Sequence, residues 1–276
     1  MSTYTRRVDR RTFISAAVAL GATGLMCGCA RISPEELAAT ALPGASLAPL
    51  PVTAPGPQVI SFDPGRISRQ GVPGGPIYGL PDENNDVIAW TVDDGFGDEV
   101  TQAYARFVRD SGIRMTFFVC AEAPGWSNSA PILRPLVESG QVQIANHTRT
   151  HSNLLSLSDA EIQADLLDNN GLIGDLFGVD SKPYFRPPFG NYDDRVAAAA
   201  ASVGFTVPVL WNGTLSDSGE IPPETLMSFA DRYMRRSNIL LGHANFWPVT
   251  SLFPRLVGIL EDRNLMTVTL NDVFGA

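Results

Sequence analysis

Histidine is scarce in this 276-residue chain, with three copies placed at the ends of two apolar runs or one turn beyond. His147 and His151 stand four residues apart in HTRTH, directly after the run ending at Asn146. On a helical turn that spacing puts both imidazoles on one face, close enough to share one metal ion. His243 follows a second run, residues 239–241. Two adjacent carboxylates, Asp93 and Asp94, follow a third, residues 87–92, and Gly95 and Gly97 then break the pattern. Like charges side by side repel unless a cation separates their roles, and a metal ion meets that need. The same Asp-Asp-Gly sequence also suits a helix cap or a turn. Arg186 opens RPPFGNYD, whose prolines stiffen the loop; its fork of donors can hold a carboxylate in one orientation or serve as an ordinary salt-bridge partner.

These residues need elements that bring them together. From residue 87 onward, strand-like runs (87–92, 115–119, 142–146, 184–185, 206–210, 239–241, 266–270) alternate with helical patterns (98–111, 132–139, 159–177, 193–203, 222–236, 251–263). Ser158 with Glu161 predicts a capping box for the third helix. Regular alternation implies an α/β fold with a parallel sheet, and seven strands suggest closure into a barrel, with an open doubly wound sheet as the competing architecture. No G-x-G-x-x-G follows the first strand, which disfavours a dinucleotide-binding version. In a barrel the strand ends share one mouth, so Asp93, Asp94, His147, His151 and His243 would converge there.

Taken in order, TVDDG (91–95), HTRTH (147–151), RPPFG (186–190), WNGTLSD (211–217) and LGH (241–243) resemble the five motifs of the polysaccharide deacetylase family, carbohydrate esterases that include chitin and peptidoglycan deacetylases. The resemblance covers residues 85–276 and implies a distorted (β/α)7-type barrel forming a single catalytic domain. It implies that Asp94, His147 and His151 hold one divalent ion, usually zinc. Asp93 would be the general base, oriented by Arg186, and His243 the general acid, with Asp217 as its electrostatic partner. The Phe189 N–H would help bind the oxyanion, and Leu241 would line the acetyl pocket. The substrate implied is an N-acetylated glycan.

The chemistry asks for such a set. An amide is a poor electrophile with a poor leaving group, so a site must supply hydroxide, stabilise an oxyanion and donate a proton. Metal coordination lowers the pKa of water from about 15.7 to about 7. A base and a separate acid each contribute on the order of 100-fold or more. No serine stands in a G-x-S-x-G setting, which disfavours an acyl-enzyme route. The fourth motif departs from the family's D-x-x-D-W: the stretch reads TLSDS (214–218), without the first acid or the tryptophan. Trp211 is a candidate replacement, and an altered substrate preference is expected. Phe189 stands where a tyrosine is common. Trp126, Phe246 and Trp247 could stack on sugar rings or pack in the core. Two rival readings remain: a deacylase acting on O-acetyl esters or a non-sugar amide, and a non-catalytic carbohydrate-binding relative.

Composition bounds the partners. The formal charge is −9, and four of the 20 basic side chains but one of the 29 acidic ones lie in residues 1–28. The remainder therefore carries 16 against 28, a balance that argues against nucleic acid as a partner. Residues 1–29 read as an export signal: paired arginines in DRRTFIS, an apolar run too short for a stable span, and a degenerate lipoprotein box in which Cys29 would carry lipid. A plain secretory signal cut a few residues later is the alternative. The expected location is the cell envelope, with membrane contact only through the anchor. Residues 30–84, rich in Pro, Gly, Ala and Ser, read as a tether or loosely packed extension, part of which (59–78) could add a hairpin. Cys120 reads as a buried apolar residue.

Overall fold

A computed structural model describes residues 61–275 apart from Asn85. The expected export signal with Cys29, and the expected tether up to residue 60, lie outside the described residues. Among the described residues eight strands form one parallel sheet: β1 (Val87–Asp94), β2 (Met115–Val119), β3 (Val142–Asn146), β4 (Tyr184–Phe185), β5 (Val207–Pro208), β6 (Gly213–Thr214), β7 (Ile239–His243) and β8 (Met266–Thr267). The order is β5-β4-β3-β2-β1-β7-β6, with β8 paired to the base of β1. The sheet curls into a distorted, incomplete (β/α)7-type barrel, as the sequence predicts. Outside it pack α1 (Asp98–Ser111), α2 (Pro124–Glu138), α3 (Asp159–Phe177), α4 (Asp194–Ala201), α5 (Pro223–Tyr233) and α6 (Phe253–Asp262).

β1 is central and buried at every residue, which is why its sequence is nearly all apolar. Its alternation sorts side chains by face. Val87 and Ala89 join the apolar cluster that also holds Phe118, Tyr184, Val209 and Ile239. Ile88, Trp90 and Val92 join the larger cluster with Val108, Leu133 and Leu256 from the helices. Asp93 and Asp94 are the last two residues of β1 rather than loop residues, because β2 and β7 pair with the strand to its end.

α1 and α3 match their expected bounds, and Ser158 and Glu161 form the capping box. α2 begins eight residues earlier than the sequence pattern suggests, because Pro124 sits in its first turn, where a missing N–H costs nothing, while Pro131 and Pro135 obscure the periodicity. β6 has only two residues, one of them glycine, and offers no strand pattern to read. The predicted strand 266–270 ends at Thr267 because Thr269 caps a short helix, Leu270–Val273.

Residues 61–84 are packed extension and form no hairpin. Gln70 bridges Phe274, Ile77 runs parallel to Val209, and Gly79 runs antiparallel to Asn238. The segment thereby crosses from the end of β5 to the start of β7, spanning the gap between the sheet's two sides, and buries Leu80. Regular ladders do not form because Pro73, Gly74, Gly75 and Pro76 interrupt the chain.

Candidate active site

Because every strand is parallel, the carboxyl ends of β1, β3, β4, β6 and β7 open at one rim. There a cavity of about 480 Å³ is lined by Asp93, Asp94, His147, His151, Leu241 and His243 among others. All five residues expected to converge do so.

His147 and His151 do not share a helical turn. His147 follows β3 directly, and the chain then turns tightly with positive φ at Thr148 (63°) and His151 (52°). α3 templates this turn. Asp165 accepts hydrogen bonds from the Arg149 and Thr150 amides and, at 2.5 Å, from the Thr150 hydroxyl. Asn146 accepts from the Thr148 amide at 2.9 Å and from Asn169 at 2.9 Å. The two imidazoles still meet at one point: His147 Nε2 and His151 Nε2 each lie 3.2 Å from the same atom, Asp94 Oδ1. Ligands about 2.0–2.2 Å from a shared ion stand roughly 3–4 Å apart, so these spacings suit one ion.

Two observations test the fit. Asp94 Oδ1 is buried without a hydrogen-bond partner, which is costly unless a cation serves it. His147 Nδ1 lies 2.8 Å from the Arg186 carbonyl oxygen. A carbonyl only accepts, so Nδ1 carries the proton and the Nε2 lone pair faces Asp94. Burial works to raise the Asp94 pKa, but positive charge at the His147 and His151 Nε2 positions outweighs it and holds this carboxyl well below the usual range. An ionised oxygen with two imidazole nitrogens is a donor set for a divalent transition metal.

Asp93 faces the barrel interior. Its Oδ1 accepts from Arg186 Nη1 at 2.6 Å, and its Oδ2 lies 3.6 Å from His147 Nε2. Arg186 is fully buried and held at every donor nitrogen: Nε to the Val209 carbonyl, Nη1 also to the Thr91 hydroxyl, Nη2 to the Leu210 carbonyl. Its guanidinium stacks on Phe118, 4.0 Å from the ring centroid. At the end of β7, the strand beside β1, His243 Nδ1 is 2.9 Å from Asp217 Oδ1, and Asp217 Oδ2 accepts the His243 amide at 3.2 Å. Burial pushes the His243 pKa down, but Asp217, with Asp93 and Asp94 behind it, raises it above its ordinary value.

Phe189 sits at the rim, 64% exposed, on a left-handed backbone (φ 61°), with its ring edge-on to His151. Trp211 and Leu241 line the cavity with Thr214, Ser216 and Ser218. Trp126 is not a sugar platform: it is fully buried in α2, and its Nε1 donates to the Asp94 carbonyl at 2.6 Å. An added Cβ at Gly95 would stand 2.0 Å from that nitrogen, so the glycine is required by close approach. Phe246 and Trp247 are exposed beyond β7. Cys120 is buried, as expected. Sequence reasoning missed Asp165, Phe96 and Asn245. Asn245, two residues past His243, offered no spacing signal beyond its place in a loop after a strand.

Residues 81–208 match the family described as polysaccharide deacetylase. The matched stretch, just under half of the chain, is similar to that family. It is 34% identical over 149 residues to chitin deacetylase 1 of Cryptococcus neoformans, covering 54% of this chain and 30% of that protein. Over 142 residues it is 27% identical to the peptidoglycan-N-acetylglucosamine deacetylase of Bacillus cereus, covering 49% and 50%. The chain thus spans half or less of the length of these two relatives. The structure of the Bacillus anthracis protein BA3943, described as a family 4 carbohydrate esterase pseudoenzyme, superposes with a TM-score of 0.63 at 20% identity, over 73% of this chain and 69% of that one. That likeness speaks to fold alone.

Proposed function

We propose that this domain is a divalent-metal-dependent hydrolase that removes acetyl groups from an N-acetylated glycan, releasing acetate. The observation that carries the reading is the buried Asp94 Oδ1, without a hydrogen-bond partner and equidistant from two imidazole nitrogens. Asp94, His147 and His151 would hold the ion, zinc being the expected one. A divalent cation bound there acidifies water and polarises the acyl oxygen.

The chain's own residues supply the rest. Asp93 takes the proton of the attacking water, and Arg186 fixes its orientation by holding Oδ1. The Phe189 N–H meets the oxyanion that develops on the acyl oxygen, a contact typically worth about 3 kcal/mol in a transition state. His243, protonated and held by Asp217, donates its proton to the departing sugar amine. Phe96, Phe189 and Trp211 offer aromatic faces to pyranose rings at the mouth. The relatives named for chitin and for peptidoglycan support an N-acetylated glycan as the substrate class.

A second reading, release of a different acyl group, is favoured by one feature: the wall formed by Thr214, Ser216 and Ser218 is lined by hydroxyls where the family motif places a tryptophan. A non-catalytic relative would lack a ligand, base or acid, and here every such position is filled. Acetate release from chitin and peptidoglycan oligomers, and from O-acetylated xylan as the alternative, tests both readings. Activity on the N-acetylated oligomers should vanish with a chelator and return with zinc or cobalt. Indifference to chelation would overturn the proposed mechanism.

A further inference from the structure

We propose that Asn245 is a positioning residue that leaves Asp94 with a single oxygen to offer a cation. The inference rests on the metal reading above and extends it to a side chain outside the donor set. Asn245 Nδ2 donates to Asp94 Oδ2 at 2.7 Å, while its Oδ1 accepts the Phe96 amide at 3.1 Å. A backbone amide only donates, so the second contact fixes which end of the Asn245 amide faces Asp94. The two carboxylate oxygens are thereby made unequal. Oδ2 is occupied by a neutral donor, and Oδ1 is left to the two imidazoles. Asp94 needs such a restraint because it sits at the very end of β1 with φ 77°, one residue past the last pairing with β7, so that β2 alone holds its backbone.

The support is built into the junction between two loops. The Gly97 amide donates to the Ala244 carbonyl at 3.1 Å, and a Cβ at Gly97 would lie 2.5 Å from the Asn245 carbonyl oxygen. Close approach of these backbones therefore places the Asn245 side chain over Asp94. Partners of this kind around metal ligands typically change affinity 10- to 100-fold when removed. A neutral amide is well matched to this position, since it donates to the carboxylate without adding a second negative charge that would compete for the ion.

The test is metal binding, not turnover. Zinc affinity is measured by competition with a chromophoric chelator for the intact protein, for Asn245→Ala, and for Thr101→Val. Thr101 donates to the Gly97 carbonyl at 2.9 Å and lies 3.4 Å from the Ala244 carbonyl, so its variant loosens the same junction without touching Asp94. Asn245→Ala should weaken zinc binding by about 10- to 100-fold and alter the visible spectrum of the cobalt-loaded protein as Oδ2 becomes free to coordinate. Thr101→Val should do neither. If Asn245→Ala is insoluble, Asn245→Ser, too short to reach Asp94, takes its place, and the rise in Tm on adding zinc is compared with that of the unsubstituted protein. A shrunken rise supports the proposal; an equal rise from a lower starting Tm means Asn245 only ties loops together. Wild-type zinc affinity and cobalt spectrum in the Asn245 variant, or an equal loss in Thr101→Val, would overturn it. If the unsubstituted protein binds no zinc, the metal reading itself falls with it.

Discussion

The two sides of the mouth are built to different standards. On the β1–β3–β4 side, Asp93, Asp94 and His147 are nearly inaccessible, and each is braced by groups that the fold itself fixes: Arg186, the Arg186 carbonyl, and Asn245. On the β6–β7 side the wall is Leu241 and the short hydroxyls of Thr214, Ser216 and Ser218, and His243 leans on one acid, Asp217. Charged groups stripped of water must have their partners prearranged, because a buried unpaired charge costs several kcal/mol. A wall that only has to admit an acyl group carries no such demand and can change without unfolding the rim. On the proposed function, the chemistry is invested in the braced side, and the choice of acyl group falls to the looser one.

The sharpest way to break this contrast is Asp93→Asn. The amide keeps the shape and removes the proposed base, so turnover should fall by about 100- to 10,000-fold, while zinc content by elemental analysis stays at the level of the unsubstituted protein. An active variant would move the base elsewhere, and a variant without metal would show that Asp93 also sustains the ion site.

How far this contrast could be read in advance follows the same division. The apolar run of β1, the i, i+4 histidine pair and the order of the motifs announced the braced side, because burial and metal ligation leave few residue types to choose from. The histidine pair nonetheless arrived by another route: two left-handed residues and Asp165 replace the helical turn, and nothing in HTRTH marks its dependence on a side chain fourteen residues downstream. β6 and the extension at residues 61–84 were illegible because glycine, proline and two-residue strands have no period. Trp126 was ambiguous for a different reason, since a tryptophan after a strand fits a sugar platform and a core equally well until its partner is known.

That partner makes the second test. Trp126→Ala would open a cavity beneath Gly95 and leave the Asp94 carbonyl only its bond from the Cys120 amide, costing about 3–5 kcal/mol of stability by denaturant unfolding. Trp126→Phe keeps most of the volume and loses the hydrogen bond, so its smaller cost separates packing from positioning. If Trp126→Ala instead left stability intact and weakened only glycan binding, the braced side would extend into the substrate groove and the contrast would blur.

The smallest effect is expected on the looser side, where one interaction sets a pH limit rather than the fold. Burial works to lower the His243 pKa, but Asp217 raises it past the ordinary value, with Asp93 and Asp94 contributing. An acid must be protonated to act, so activity is present below that pKa and is lost as pH climbs through it. Asp217→Asn removes the main upward influence and should draw the alkaline limb of the kcat profile toward lower pH, with the acidic limb unmoved. A profile that kept its alkaline limb in the Asn variant would take the general-acid role away from His243, and with it the division of labour between the two sides of the mouth.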